Sequence, residues 1–144
     1  MSTAIDTNVL LYASDEGSLY HARARELLEG LAEGPDLLYL FWPVLMGYLR
    51  IATHPAIFEN PLPPEAAIRN VEGLVRRPHV RTPGEADGFW DLYTSVNADL
   101  VVRGNLVSDA HLAALMRQYG VTRISTHDRD FRRFEGLTVD DPFA

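Results

Sequence analysis

Short apolar runs alternate with helix-periodic stretches along almost the whole chain, and that alternation restricts the fold more than any other feature. Ser2–Ile5, Leu37–Phe41, His79–Thr82, Val121–Thr126 and Leu137–Val139 read as strands, the second apolar enough to be buried on both faces. Between them lie helical patterns. Ser18 can cap a helix to about Glu33, with a stripe of Leu19, Ala22, Leu27, Leu28 and Leu31. Pro43 suits the first turn of a helix to about Thr53, which Pro55 stops, and Pro64 opens another to about Arg76. Further helices are expected from about Gly84 to Val96 and from a Ser108 cap through Tyr119, the latter closed by Gly120 in the left-handed conformation. Strands that alternate with helices pair in parallel and carry helices on both faces. The expectation is therefore a three-layer α/β/α sandwich around a central parallel sheet of four to five strands. No repeat, linker or low-complexity tract interrupts the pattern, so residues 1–144 read as one domain.

Composition removes several classes of chemistry. Without cysteine there is no disulfide scaffold, thiolate zinc site, iron–sulfur cluster or cysteine nucleophile. The longest charge-free apolar run, Leu37 to Leu49, falls short of the roughly 20 residues of a membrane helix, and the N-terminus lacks the basic-then-apolar order of a signal peptide. A cytoplasmic chain with no membrane partner is expected. Charge is less decisive. Twenty acids against thirteen bases give a net charge of −7, which opposes nucleic acid at long range. Yet every one of those bases is arginine, whose planar fork grips phosphate, although genomic base composition produces the same bias.

The placement of particular acids says more than their number. In an open parallel sheet, ligands gather outside the carboxyl ends of the strands. Asp6 and Asp128 each follow an expected strand, and Asp109 lies in the first turn of an expected helix. Each alone reads as a cap or turn residue. Together they describe a convergent carboxylate site.

Three blocks carry a family resemblance: Asp6-Thr7-Asn8-Val9-Leu10-Leu11-Tyr12, Asn105-Leu106-Val107-Ser108-Asp109-Ala110-His111-Leu112-Ala113, and Ser125-Thr126-His127-Asp128-Arg129-Asp130-Phe131. In order and over the whole chain they resemble a PIN domain, and more narrowly the VapC-type ribonuclease toxins of toxin–antitoxin pairs. Tyr48 to Pro55 is similar to a segment of one branch of those toxins. The resemblance implies an endoribonuclease dependent on Mg²⁺ or Mn²⁺, an RNA substrate, a cognate antitoxin and a homodimer. It implies metal-binding roles for Asp6, Asp109 and Asp128, with Asp130 an alternative for the last acidic position. It also places Thr126 in the pocket wall and Asn8 behind Asp6, whereas Thr7 is equally well a structural turn residue.

The chain departs from the family at Gly47, which aligns where a second acid, commonly glutamate, is expected. No Asp or Glu occurs from Leu37 to Phe58 to replace it. Two consequences follow as expectations: a higher metal requirement, or a silent PIN-like domain that only binds RNA or protein. Glycine also permits close helix approach. A phosphatase of the haloacid dehalogenase type needs a second Asp two residues after the first, and Asn8 stands there. No His-Glu-x-x-His pair supports zinc. His127 reads as an exposed loop residue or, less simply, a contact to substrate phosphate, and His111 points away from Asp109. Arg123, Arg129, Arg132 and Arg133 form the densest basic cluster, a candidate RNA-backbone contact or a solvated face. Arg50, one turn beyond Gly47, is placed to reach phosphate or pair with an acid. Trp42, Phe89 and Trp90 read as core residues.

Overall fold

The computed structural model describes all 144 residues. In chain order the elements are β1 (Ser2–Ile5), α1 (Thr7–Ser14), α2 (His21–Glu33), β2 (Leu37–Tyr39), α3 (Trp42–Ala52), α4 (Pro64–Val75), β3 (Val80–Arg81), α5 (Phe89–Val96), α6 (Leu106–Gln118), β4 (Arg123–Ser125), a 3₁₀ helix (Arg129–Arg133) and β5 (Thr138–Asp140).

The five strands form one parallel sheet in the order β3-β2-β1-β4-β5. The chain starts in the middle, steps outward through β2 to β3, then crosses back to β4 and steps outward again to β5. Parallel crossovers are right-handed, so the two directions of travel put their helices on opposite faces of the sheet, which gives three layers. The direction reverses between β1 and β4, where Ile5 pairs with Ser125 and Asp6 N donates to Ser125 O at 3.1 Å. Such a switch point opens a crevice at the carboxyl ends of the two strands. Asp6 follows β1 there, and Thr126 to Asp128 follow β4.

The core is a single cluster in which Ile5, Leu38, Leu40, Phe41, Leu45, Leu115, Ile124 and Phe131 are fully buried. Helix α6 is buried on most sides, with Ala110 and every residue from Leu112 to Met116 inside, and Gly120 closes it at φ +68°.

Several expectations shift. Helix α1 does not stand out in the sequence, because Val9 to Ala13 is apolar on every side and shows no helical period. Helix α2 starts three residues beyond Ser18, whose hydroxyl instead accepts from Tyr20 N at 3.1 Å. Ser108 is not a cap: α6 begins at Leu106, with Asn105 as an N-cap that makes no side-chain bond. Helix α5 begins at Phe89 rather than near Gly84, after Gly88 turns at φ +82°. Trp42 and Trp90 are 42% and 70% exposed rather than core, set outward by the phase of α3 and α5. No helix is long and apolar enough to cross a membrane.

Candidate active site

Asp6 enters the crevice as both a helix cap and a charged group. Its Oδ1 accepts from Thr7 N at 2.8 Å, capping α1, while Oδ2 accepts from the Thr126 hydroxyl at 2.8 Å and from Asn8 Nδ2 at 3.4 Å. Across the crevice, carboxylate oxygens of Asp109, Asp128 and Asp130 lie within 4.8 Å of one another. Asp109 reaches in from the first turn of α6. Asp128 caps the 3₁₀ helix, its Oδ1 accepting from Asp130 N at 2.9 Å, and that tight turn brings residues 128 and 130 to the same side. The sequence left Asp128 and Asp130 as alternatives; the geometry brings both to Asp109, while Asp6, expected as a ligand too, lies outside that group of three but near enough to repel Asp128 and Asp109. Asp130 also pairs with Arg133 at 3.5 Å.

Crowding of like charge marks the centre. Burial, then repulsion from Asp128 and Asp6, pushes the Asp109 carboxyl up to about 7. Burial also raises Asp6, opposed by the hydrogen bonds from Thr126 and the Thr7 N–H and reinforced by repulsion from Asp128. The converging donors are all oxygens, with negative charge in excess of what their neighbours offset. A hard divalent cation fits such a set, and a thiolate- or imidazole-seeking metal does not.

Thr126 joins the two halves of the crevice. Fully buried, it donates to Asp6 Oδ2 and accepts from Asn8 Nδ2 at 3.1 Å and from Asp128 N at 3.0 Å. Asn8 completes the arrangement by accepting from His127 N at 3.3 Å. Asn8 lies on α1 rather than a loop, and links Asp6 to the backbone that follows β4.

His127 is no exposed loop residue. Its Nδ1 lies 3.0 Å from Asp141 Oδ2, and its ring sits among Tyr12, Tyr20 and Phe143 with centroids 5.0 to 6.2 Å away. Asp141 also accepts from Phe143 N at 2.9 Å. The C-terminal segment thus latches the loop that carries Asp128. Sequence reasoning missed Asp141, since one acid near a C-terminus carries no pattern; the strand end before it was the only available signal.

Gly47 on α3 faces Thr7, whose hydroxyl donates to Val44 O at 3.2 Å. A Cβ at position 47 would stand 3.2 Å from Thr7 Oγ1, so close approach of α1 and α3 is the structural reason for glycine here. The basic cluster divides: Arg123 pairs with Asp140 at 2.8 Å and Arg133 with Asp130, while Arg129 and Arg132 are exposed without an acid partner. His111 bonds Glu85 through Nε2 at 2.6 Å, which holds the Glu85 carboxyl below its ordinary range. A cavity of about 530 Å³ between α1, α2 and α4 contains none of the four aspartates. Convergent carboxylates, not volume, locate the site.

A family model described as "PIN domain" matches residues 3–137. The chain is 51% identical over 144 residues to ribonuclease VapC48 of Mycobacterium tuberculosis, covering 100% of this chain and 99% of that protein. Among solved structures it is similar to VapBC2 from Rickettsia felis bound to a promoter DNA fragment, with TM-score 0.70, 16% identity and coverage of 97% and 98%. It is also similar to a toxin–antitoxin complex from Klebsiella pneumoniae, with TM-score 0.67, 15% identity and 98% coverage of both chains.

Proposed function

Because the chain belongs to the PIN domain family, we propose that it is a metal-dependent endoribonuclease, the toxin half of a toxin–antitoxin pair. The observation that carries the reading is the convergence of Asp109, Asp128 and Asp130, backed by Asp6, at the switch point of a parallel sheet. Asp109, Asp128 and Asp130 would hold Mg²⁺ or Mn²⁺, with Asp6 completing the charge behind them. Such an ion supplies a water activated for attack and offsets charge on the phosphoryl group.

The chain's own residues do the rest. Thr126 and Asn8 fix Asp6, and Thr126 ties the Asp128 backbone to it, so the acids face the substrate in one arrangement before RNA arrives. Arg129, exposed and next to Asp128, is placed to meet an RNA phosphate, which positions the strand without reading its sequence. An antitoxin partner and a homodimer belong to the same reading; exposed Trp90 and Val101 offer apolar surface for such contacts. The silent-domain alternative is not favoured, since the aspartates that converge here are all retained despite Gly47.

The test is cleavage of an RNA panel in Mg²⁺, Mn²⁺ or EDTA, with Asp6→Ala alongside. Cleavage in either metal, abolished by EDTA and by Asp6→Ala, is the expected result; cleavage indifferent to both would overturn the metal mechanism. Gly47→Glu, which restores the family carboxylate, is expected to lower the Mg²⁺ concentration for half-maximal cleavage. Crowding of Thr7 Oγ1 at 3.2 Å opposes a gain of about 1 kcal/mol in helix propensity over glycine, so urea unfolding should stay within about 1 kcal/mol of wild type. An unchanged metal requirement would mean that position 47 does not serve the ion.

A further inference from the structure

We propose that the cavity beside Gly47 is a subsite for the nucleotide flanking the scissile phosphate, with Arg50 holding that nucleotide's own phosphate. The proposal rests on the ribonuclease reading above. The cavity measures about 340 Å³, at the small end of ligand pockets and suited to one nucleotide. Its lining includes Thr7, which follows Asp6, and Ser108, which precedes Asp109, although none of the four aspartates is part of it.

The lining is of mixed character. Met46 and Ile51 provide apolar wall for the face of a base or sugar, while Arg50, Ser108 and His111 provide polar groups. Nε2 of His111 is already engaged by Glu85. Arg50 is not: it is exposed, forms no ion pair, and lies one helical turn from Gly47 on α3. An uncommitted guanidinium on a cavity wall is a site for an anion that arrives with the ligand. RNA brings such an anion on either side of every cut. Gly47 is in the lining as well, and a glutamate there would take up part of the space and repel phosphate.

The experiment uses a single-stranded oligoribonucleotide that the wild-type chain cuts at a mapped position, with Ca²⁺ in place of Mg²⁺ during binding and the strand checked on a gel to have stayed intact. Phosphates are replaced one at a time by uncharged methylphosphonate, and binding is measured to wild type, Arg50→Gln and Arg50→Lys. One replacement beside the cut should weaken wild-type binding roughly tenfold, as expected for loss of a charge-assisted contact. Arg50→Gln should weaken binding of the unmodified strand by a similar factor, lower the salt slope by about 0.7, and abolish the effect of that one replacement. Arg50→Lys should restore part of it. Additive effects at every position would overturn the proposal, as would an Arg50→Gln protein altered in sedimentation but not in phosphate sensitivity, which would identify a contact between protein copies. Failure of the ribonuclease reading looks different: the wild-type chain would then cut no RNA in any divalent ion, and the subsite would fall with it.

Discussion

Asp109→Asn is expected to raise the melting temperature of the metal-free protein while lowering RNA cleavage by roughly a thousandfold, the scale of removing a group that stabilises transition-state charge. The two effects share one cause. Burial and the facing Asp128 and Asp6 push the Asp109 carboxyl up to about 7 in the folded chain, whereas an unfolded aspartate titrates at about 3.9. Between those values the folded state binds more protons than the unfolded state. Stability without metal therefore falls as pH rises from about 4 to 7, the reverse of an aspartate held in an ion pair. Asparagine removes the charge and should flatten that fall, with a gain of about 2–4 °C in melting temperature per kcal/mol relieved. A divalent ion reverses the sign, because it binds the ionised carboxylates; added Mn²⁺ should stabilise wild type, more so as pH rises through 7, and Asp109→Asn much less. Thermal melts at pH 5 and 8, with and without Mn²⁺, check all of this. A wild-type chain whose metal-free melting point rises across that interval would refute the repulsive centre.

The architecture was legible because strand and helix periods differ and because proline and glycine punctuate them. Pro43 and Pro64 each fall in the first turn of a helix, and Gly120 closes α6. The acids were legible by position rather than singly: Asp6 and Asp128 follow strands at the carboxyl edge of the sheet, and Asp109 lies in the first turn of a helix. What escaped the sequence depended on geometry over short distances. Helix α1 has no polar side to set a period. Trp42 and Trp90 look like core residues by composition, and only the helical phase in three dimensions turns them outward. The approach of Asp130 to Asp109 depends on a 3₁₀ turn that keeps residues 128 and 130 on one side, where an extended chain would separate residues 109 and 130. The clasp of His127 by Asp141 joins residues fourteen apart and leaves no pattern in the chain.

The net charge of −7 takes on a different meaning in this geometry. Four of the acids are gathered in one crevice, where a divalent ion inverts the local sign. Arg50, Arg129 and Arg132 stand outside it with no acid partner. On the ribonuclease reading, a cation held there and these arginines would offset the long-range repulsion of RNA. Cleavage should accordingly depend on the metal for binding as well as for chemistry.

Thr126→Val should be the most damaging substitution that leaves every charge in place. The side chains are nearly the same size, but the hydroxyl is fully buried and makes three hydrogen bonds, to Asp6 Oδ2, Asn8 Nδ2 and Asp128 N. Valine offers none of them. Each buried partner left without a replacement costs about 1–3 kcal/mol, and relaxation of Asn8 toward Asp6 recovers part of the total. A loss of about 2–3 kcal/mol is expected in urea unfolding. Asp6 would lose the hydrogen bond that most opposes the upward push of burial, so its carboxyl should rise further and compete less well for a cation. The Asp128 backbone would lose its tie to the β1 side of the crevice. Cleavage should fall roughly a hundredfold, the upper range for residues that orient metal-binding groups, with part recovered at high Mn²⁺. Thr126→Ser keeps the hydroxyl and gives up one methyl, so it should lose about 1 kcal/mol of stability and little activity. If Thr126→Val cut RNA as well as Thr126→Ser, the hydroxyl would be a matter of packing alone, and the bridge between Asp6 and Asp128 would have no part in the chemistry.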